Sequence, residues 1–472
     1  MGITVQLRLI TERDLGVAPP DWTFNGASTR EFTHCYHDYP ARMIPQIAGK
    51  LLDMFAPTEA RLLFDPYCGT GTSLVEASLR GLNAIGTDLN PLARLIAHAK
   101  TSVPDTGILD AEISRLRRMA TRHSSPNPSL SMSPINGIDR LDFWFKPQVI
   151  LLLNELRQFI SSIEEPCVRL FFQVAFSETV RESSNTRNNE FKLYRYDDAT
   201  LEKLNPDVLG IMLSKLKRNR AGLARYEPII RNFKSPTEVL VHDFDTVHGI
   251  PAEILPPASA DIVITSPPYG DSHTTVAYGQ YCRLSSAWLG LPDPEKVDRR
   301  LMGGKPNKKI PVFPCDSLNH ALGEISRIDE KRALEVSSFY SDLLASIHNV
   351  SHVIKTGGYS CYVVGNRKVK GVVLPTDEAV RCFFEHFGFI HIDSFSRSIP
   401  NKRMPLRNSP SNAPGAVDST MVRERIVVMR RELNQSIRER ATPYLRRKKK
   451  GTGERSRLNK PRASSRVMIR RK

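Results

Sequence analysis

Several features common in secreted, membrane and metal-binding proteins are missing from this sequence. Its seven cysteines form no Cys-x-x-Cys pair, and its apolar runs are too short to cross a bilayer. The amino-terminal residues do not have the pattern of a secretory leader. The segment His34-Cys35-Tyr36-His37 has no second ligand pair at zinc-like spacing, so we expect no bound metal. These absences predict a reduced, cytoplasmic protein that is not attached to a membrane.

The sequence also lacks the motifs that bind phosphate groups. Its glycine loop, Asp65-Pro66-Tyr67-Cys68-Gly69-Thr70-Gly71-Thr72, has neither Gly-Lys-Ser/Thr nor the third glycine of a dinucleotide fingerprint. A short apolar segment precedes the loop and a helical pattern follows it, which lets the backbone approach a nucleoside closely. The carboxylate of Asp65 would repel phosphate but could accept hydrogen bonds from an ammonium group. S-adenosylmethionine is a nucleoside with such a group, and we expect it to be the cofactor.

Two further acids end predicted strands. Asp88 follows Ala84-Ile85-Gly86-Thr87, and an acid at this distance from the glycine loop commonly binds ribose hydroxyls. We therefore predict Asp88 as the ribose ligand. Asp243, at the end of the third predicted strand, is a candidate for the adenine amine of the cofactor, although a solvated acid at a strand end would have the same sequence.

The tetrapeptide Ser266-Pro267-Pro268-Tyr269 directly follows the apolar run Asp261 to Thr265. Two prolines cannot continue a hydrogen-bonded ladder, so the strand must end at the edge where open α/β sheets bind ligands. A serine hydroxyl, a prolyl carbonyl and an aromatic ring are suited to holding a planar ring that bears an amine. By itself the tetrapeptide fits a rigid turn equally well. Its occurrence with the glycine loop favours a catalytic site.

Together the two motifs resemble those of the amino-group DNA methyltransferases, which read Asp-Pro-x-x-Gly-x-Gly-Thr and (Ser/Asn/Asp)-Pro-Pro-Tyr. Weaker matches at Tyr39 to Pro45 and at Arg397 to Arg403 extend the resemblance over about residues 30 to 430. The resemblance implies an α/β fold of the class I S-adenosylmethionine-dependent methyltransferases, with a Rossmann-like seven-stranded sheet in which one strand is reversed. It also implies cofactor contacts from Phe64, Asp65, Pro66, Gly69, Gly71, Thr72, Asp88 and Asp243, and catalytic roles for Ser266, Pro267, Pro268 and Tyr269.

The implied reaction takes place at the exocyclic amine of a DNA base. This amine is a poor nucleophile because its lone pair is delocalised into the ring, and Ser266 and the Pro267 carbonyl would each accept one amine hydrogen to localise that pair. The base must be flipped out of the duplex, and Tyr269 would stack on it. Serine at position 266 is similar to the cytosine-N4 branch, whereas adenine-N6 enzymes more often carry Asp or Asn. We therefore favour N4 of cytosine over N6 of adenine.

The spacing of apolar segments predicts the domain organisation. Seven segments fit the seven strands, beginning near Leu62, Ala84, Val239, Asp261, Tyr359, Ile390 and Arg425. The roughly 150 residues between the second and third are too many for a simple connection and predict an inserted module. A helical rhythm over residues 149–163 and 168–180 predicts that this module is largely helical. The predicted parts are a cofactor-binding half (1–101), a target-recognition module (102–235), a catalytic half (236–431, with a smaller insert near 290–332) and a tail (432–472).

Basic residues predict where DNA binds. The formal net charge is +17, and residues 432–472 hold 15 Lys or Arg against three Asp or Glu. This composition predicts a disordered tail that attracts phosphate without sequence preference, or a solvated extension with no role. Within the inserted module a polar stretch is suited to contacting bases and phosphates, although a solvated surface has a similar composition. The predicted DNA-binding residues are Arg181, Asn185, Arg187, Lys192 and Arg195, with Lys402 and Arg403 in the late loop.

The sequence bears on three other classes of function. A cytosine-C5 methyltransferase needs a Pro-Cys nucleophile after a catalytic strand, and neither Pro166-Cys167 nor Pro314-Cys315 follows one. An RNA or protein amino-methyltransferase stays open, because a similar tetrapeptide serves those substrates. A DNA-binding repressor with an inactive methyltransferase fold is disfavoured by the intact motifs. We interpret the chain as a modification enzyme that acts on double-stranded DNA, with a cognate restriction endonuclease as a candidate partner.

Overall fold

The computed structural model describes residues 21–122, 135–187, 192–270, 278–399 and 423–432, and the backbone of residues 407–408 and 418–419. The chain divides after Asn434, and the residues beyond it lie outside this description. The strands are β1 (Leu62–Asp65), β2 (Asn83–Thr87), β3 (Val239–His242), β4 (Ala260–Thr265), β5 (Ile354–Val364), β6 (Lys368–Val369), β7 (Val372–Val373), β8 (Phe389–Ser398), β9 (Arg407–Asn408), β10 (Asp418–Ser419) and β11 (Arg423–Arg431).

A 3-10 helix at Phe32–Tyr36 precedes the α-helices. These are α1 (Pro45–Phe55), α2 (Thr72–Ser78), α3 (Pro91–Thr101), α4 (Thr106–Arg122), α5 (Leu141–Trp144), α6 (Pro147–Ser161), α7 (Pro166–Ser183), α8 (Asp198–Lys203), α9 (Val208–Arg231), α10 (Tyr278–Trp288), α11 (Val297–Arg300), α12 (Asp316–Ile328), α13 (Glu330–Val353) and α14 (Thr376–His386). Within the described residues, no helix is long and apolar enough to cross a membrane.

Seven strands form one sheet in the order β3-β2-β1-β4-β5-β11-β8. Strands β3, β2, β1, β4 and β5 pair in parallel, whereas β11 is antiparallel to both β5 and β8. All seven predicted strands are present. The single reversed strand lies beside the edge strand and belongs to the predicted closing pair. The sheet confirms the class I methyltransferase fold expected from the sequence.

The central strands are covered on both faces, which explains why β1 and β4 are apolar runs rather than alternating sequences. On one face Leu63, Ile262 and Cys361 pack in a core with residues of α1 and α2. On the other face the ring of Tyr362 contacts Phe384 of α14 at 5.2 Å between centroids. Because β1, β2, β3 and β4 are parallel, the segments that follow them meet at one edge of the sheet.

The chain between β2 and β3 is largely helical, as predicted, and contains α3 to α9. Helices α4, α6, α7 and α9 share a second core with α3 and α10, in which Phe172, Met212 and Trp288 are buried. The predicted helical stretches at 149–163 and 168–180 correspond to α6 and α7. The boundaries of a separate target-recognition module stay a prediction, because this core also includes helices on either side of it.

Candidate active site

The turn between β1 and α2 depends on two glycines with positive φ angles. Gly69 has φ +50° and Gly71 has φ +75°, a region that other residues rarely adopt. A Cβ atom at Gly71 would lie 3.0 Å from the Cβ of Ala97 in α3, whereas one at Gly69 would meet no atom within 4 Å. Gly71 therefore allows α2 and α3 to approach closely. Gly69 leaves open space beside the turn.

Asp65 at the end of β1 ties the glycine turn to the catalytic strand. Its Oδ1 accepts hydrogen bonds from the Tyr67 backbone N–H (3.0 Å) and the Thr265 hydroxyl (2.5 Å), and its Oδ2 accepts one from the Ser73 hydroxyl. Burial raises the pKa of Asp65 to about 6, although the bonds from Ser73 and Thr265 act in the opposite direction. A carboxylate has about four acceptor positions. Three are used inside the protein, so Asp65 has little capacity left for a ligand.

Asp88 follows β2 and keeps more of its acceptor capacity. Its Oδ2 accepts a hydrogen bond from the Gly69 backbone N–H (3.0 Å) and its Oδ1 from the Asn90 backbone N–H (2.8 Å). Burial raises the pKa of Asp88 above its ordinary value. Each oxygen retains a lone pair, so the carboxylate can accept hydrogen bonds from two neighbouring hydroxyl groups.

One pocket brings the two sequence motifs together. Its lining includes residues of the glycine turn, of the tetrapeptide and of three segments that the motifs did not predict: residues 39–43, residues 244–246 and Leu301 with Met302. Tyr278 of α10 also lines the pocket, and its ring stacks on Tyr39 at 5.9 Å between centroids. The predicted residues in the lining are Asp65, Pro66, Gly69, Thr72, Asp88, Ser266 and Pro268.

Asp243 is not brought to the pocket. Strand β3 ends at His242, and the Asp243 side chain is 74% exposed, with its carboxylate 3.7 Å from Arg94. The chain then turns inward, so that Phe244, Asp245 and Thr246 line the pocket instead. This differs from the prediction for Asp243, since the acid after β3 that lines the pocket is Asp245. No signal in the sequence distinguishes these two acids, which are separated by a single residue.

Phe64 and Gly71 support the pocket without lining it. Phe64 is fully buried, and its ring lies nearly parallel to that of Phe244, with centroids 6.4 Å apart. Tyr67, which lines the pocket, donates its hydroxyl hydrogen to Ser346, whose hydroxyl is 2.8 Å from that of Thr246. These contacts hold the β1 turn and the segment after β3 in fixed positions around the pocket.

The tetrapeptide begins where β4 ends. The Ser266 hydroxyl donates a hydrogen bond to the backbone carbonyl of Val363 in β5 at 3.0 Å, and its oxygen is 3.3 Å from the Tyr269 hydroxyl. Tyr269 donates its own hydrogen to Oε1 of Glu424 at 2.8 Å. Burial, and then the charge of Glu424, raise the pKa of Tyr269 well above its ordinary value. The phenol therefore stays protonated at neutral pH.

The predicted DNA-binding residues of the inserted module divide into two groups. Arg181 and Asn185 are buried: Arg181 donates to the Tyr281 carbonyl at 3.2 Å, and Asn185 donates to the Phe143 carbonyl at 3.1 Å. This corrects their prediction as DNA contacts, because both side chains are held in the interior. Arg195 is partly buried and paired with Asp198. The exposed members are Arg187 and Lys192, while Lys402 and Arg403 lie outside the described residues.

Comparisons with known proteins find similar methyltransferases. Residues 30–113 match the family model of an RMKL-like methyltransferase domain. The type II methyltransferase M.MvaI of Kocuria varians is 41% identical over 430 residues, which are 88% of this chain and 94% of that protein. A tRNA (guanine(10)-N2)-dimethyltransferase of Methanothermobacter thermautotrophicus is 31% identical over 100 residues, 21% of this chain and 29% of that protein. Among solved structures, the rRNA methyltransferase aviRa of Streptomyces viridochromogenes covers 84% of this chain and 88% of its own, at 10% identity and a TM-score of 0.33.

Proposed function

Because this chain belongs to the type II methyltransferase family, we propose that it methylates the exocyclic N4 of cytosine within a short site in duplex DNA. The methyl donor is S-adenosylmethionine. The observation that carries the proposal is that Ser266 and the acids Asp65 and Asp88 line one pocket. The alternative target is N6 of adenine, and an RNA amine is a more distant alternative.

The lining of the pocket fits S-adenosylmethionine better than a nucleotide. Three carboxylates, Asp65, Asp88 and Asp245, line it together with the single guanidinium of Arg42. This charge disfavours phosphate and favours a ligand with an ammonium and a sulfonium. Asp88 would accept the ribose hydroxyls, and Phe244 offers an aromatic surface for the adenine. The cofactor supplies an electrophilic methyl group on sulfur.

The hydrogen bonding of Ser266 supports its proposed role as an acceptor for the target amine. Its hydroxyl is the donor toward both the Val363 carbonyl at 3.0 Å and the Tyr269 hydroxyl at 3.3 Å, so the lone pairs of its oxygen can accept a hydrogen from the target amine. The Pro267 carbonyl would accept the second amine hydrogen. Holding both hydrogens localises the nitrogen lone pair toward the methyl group, and most of the rate enhancement then comes from positioning.

The choice of cytosine rests on the serine of the tetrapeptide, as the resemblance to the N4 branch implies. The target amine lies inside the base stack, so we propose that the nucleotide is flipped out and that the ring of Tyr269 stacks on the base. The pair Tyr39 and Tyr278 provides further aromatic surface at the same pocket.

Two exposed basic surfaces support DNA as the substrate. Residues 299–309, here called the basic arm, contain five Lys or Arg and no acid, and Leu301 and Met302 of this arm line the pocket. The arm is held against α13 by a hydrogen bond from the Gly303 N–H to Asp342 at 3.0 Å. The second surface carries Arg187 and Lys192 on the inserted helical region. We propose that both contact the duplex and that the tail at 432–472 adds attraction without sequence preference.

Nucleoside mass spectrometry tests the proposal directly. Unmethylated genomic DNA is incubated with the protein, with and without S-adenosylmethionine, and digested to nucleosides. We expect N4-methylcytosine that depends on the cofactor. Detection of N6-methyladenine instead would support the same mechanism with adenine as the target base. Methylation of RNA alone would show that RNA, and not DNA, is the substrate. Protection of the modified DNA from restriction would support a companion endonuclease.

A further inference from the structure

Hydrogen bonds through Ser266 and Tyr269 connect residues on or directly after four neighbouring strands of the sheet. Ser266 directly follows β4, Val363 lies in β5, Glu424 in β11 and Arg397 in β8, and the sheet order is β4-β5-β11-β8. Arg397 and Glu424 are register partners in the antiparallel pair of β8 and β11. The reversed strand thus places a carboxylate beside the catalytic tetrapeptide.

The two oxygens of Glu424 have different partners. Oε2 accepts a hydrogen bond from Nη1 of Arg397 at 2.7 Å, and Oε1 accepts the hydroxyl hydrogen of Tyr269 at 2.8 Å. The side chains of Arg397 and Glu424 are only 6% and 15% exposed. A buried carboxylate is tolerated when its oxygens accept hydrogen bonds and its charge is paired, and here each oxygen accepts one bond and the charge is paired with Arg397. The ion pair therefore fixes the oxygen that receives the Tyr269 hydrogen.

We propose that Arg397 and Glu424 act as a positioning pair for the catalytic tetrapeptide. Glu424 accepts a hydrogen bond from the Tyr269 hydroxyl and so keeps that hydroxyl from donating to Ser266. Arg397 holds Glu424 in place. Neither residue touches the substrate. The effect on rate rests on the proposed function, in which the Ser266 oxygen accepts a hydrogen from the target amine.

The reason is competition for the Ser266 oxygen. The Tyr269 hydroxyl is 3.3 Å from that oxygen, within reach of a hydrogen bond. Without Glu424, the phenol would turn its hydrogen to Ser266 and occupy a lone pair that the amine needs. With Glu424 present, the phenol oxygen presents lone pairs to Ser266 instead. Removing the Glu424 carboxylate therefore has two effects. It lets the Tyr269 hydroxyl occupy the acceptor oxygen of Ser266, and it leaves the Tyr269 ring less firmly held.

This competition predicts that removing the Tyr269 hydroxyl restores part of the rate lost in Glu424→Ala. A purely structural role of Glu424 does not predict such a rescue. Glu424→Ala should lower the single-turnover rate of methyl transfer about 10- to 100-fold, the range for a hydrogen bond to a charged group. Tyr269→Phe keeps the ring and removes the competing hydrogen, so it should cost only about threefold. In the double variant the rate should rise above that of Glu424→Ala. Glu424→Gln retains an acceptor oxygen and should fall between wild type and Glu424→Ala.

The experiment compares these variants on unmethylated genomic DNA, with cofactor and DNA affinities measured for each. Arg425→Gln is the matched control, because Arg425 is the next residue of β11 and pairs with Asp377 at 3.6 Å instead of with the tetrapeptide. Cofactor affinity should stay within about twofold in all variants, since the pair makes no contact with the cofactor residues. A loss in Glu424→Ala no larger than in Arg425→Gln would overturn the proposal, as would a double variant no faster than Glu424→Ala.

A second readout does not depend on activity. A thermal unfolding cycle of Tyr269→Phe, Glu424→Gln and the double variant measures whether the two side chains are coupled. If the two side chains are coupled but the wild type methylates no DNA, the proposed function is rejected while the contact between Tyr269 and Glu424 is confirmed. Additive effects on stability would reject the positioning pair even in an active enzyme.

Discussion

The Ser266 hydroxyl donates its hydrogen to the backbone carbonyl of Val363 at 3.0 Å. A hydroxyl group has one hydrogen and two lone pairs, so this bond leaves Ser266 as an acceptor toward the pocket. The acceptor state is thus fixed by the adjacent strand before any substrate binds. Its effect on the rate can be separated from effects on cofactor binding.

Replacement of Ser266 by alanine should abolish most turnover without weakening the cofactor. We expect the single-turnover rate to fall about 100-fold, the size typical of losing one preorganised polar contact in a transition state. Cofactor affinity, measured by isothermal titration calorimetry, should stay within about twofold because Asp88 and the glycine turn are unchanged. Ser259→Ala removes an exposed serine just before β4 and serves as the control. A parallel loss of cofactor affinity in Ser266→Ala would contradict this assignment.

Replacement of Asp88 by alanine should weaken the cofactor itself. Loss of two hydrogen bonds to a carboxylate, together with the support that Asp88 gives the Gly69 N–H, should raise the dissociation constant of S-adenosylmethionine about 100-fold or more. Asp243→Ala provides the matched control, since that acid is largely exposed and outside the pocket lining. Equal affinities in the Asp88 variant and wild type would refute the ribose assignment.

Asp65 should make the stability of the cofactor-free protein depend on pH. Burial raises the pKa of Asp65 from 3.8 to about 6, so between these values the native state binds a proton more tightly than the unfolded chain. The favourable contribution of the protonated group is complete below pH 3.8 and is lost as the pH rises through about 6. A shift of about two units corresponds to about 3 kcal/mol of unfolding free energy.

Asp65→Asn keeps an acceptor oxygen and removes this titration. The unfolding free energy of the variant relative to wild type should therefore be larger at pH 7.5 than at pH 5, measured by urea denaturation. Asp243→Asn is the control, because neutralising an exposed carboxylate should change stability little at either pH. A difference that is the same at both pH values would show that Asp65 does not titrate in this range.

Neutralising the basic arm should weaken DNA binding evenly across sequences. Lys308→Gln with Lys309→Gln removes two charges, which should reduce the slope of log affinity against log salt by about two. Arg187→Gln with Lys192→Gln removes the same number of charges from the inserted helical region. If that region reads bases, this second pair should also relax the preference for the recognised site. A changed site preference in the arm variant would contradict its assignment to the phosphate backbone.

Removal of residues 432–472 should lower DNA affinity and its dependence on salt while leaving the recognised site unchanged. The tail carries 15 basic residues against three acids, and such a segment interacts with phosphates regardless of sequence. Methylation mapping of the truncated protein measures the site. A new site would show that the tail contributes to specificity.

The fold could be predicted because its signals are local. The strands before Asp65, Asp88 and Ser266 are short apolar runs that end in a glycine turn, an acid or two prolines, and each of these stops a strand by its own chemistry. The reversed strand β11 was predicted only from the resemblance to a family. Nothing within Arg423–Arg431 encodes its direction, which is seen only in its antiparallel pairing with β5 and β8.

The site could be predicted only in part because side-chain direction depends on packing. Arg181 and Asn185 occur in a polar stretch, but Arg181 lies in the last turn of the largely buried helix α7 and Asn185 follows the end of that helix, so both side chains are in the interior. Glu424 lies in the segment Arg-Glu-Arg, which resembles any charged strand end. Its importance arises from Arg397 opposite and Tyr269 beside it, two residues that only the folded sheet brings within reach.

The bond from Ser266 to Val363 also affects which mutations the enzyme can tolerate. The acceptor is a main-chain carbonyl, an atom that every amino acid carries, so an exchange of Val363 for isoleucine does not remove it. Substitutions at Val363 are limited by how well the new side chain fits in the core. They do not change the hydrogen bond that orients Ser266 toward the target amine. Laboratory evolution of the pocket can therefore vary this strand while Ser266 keeps its orientation.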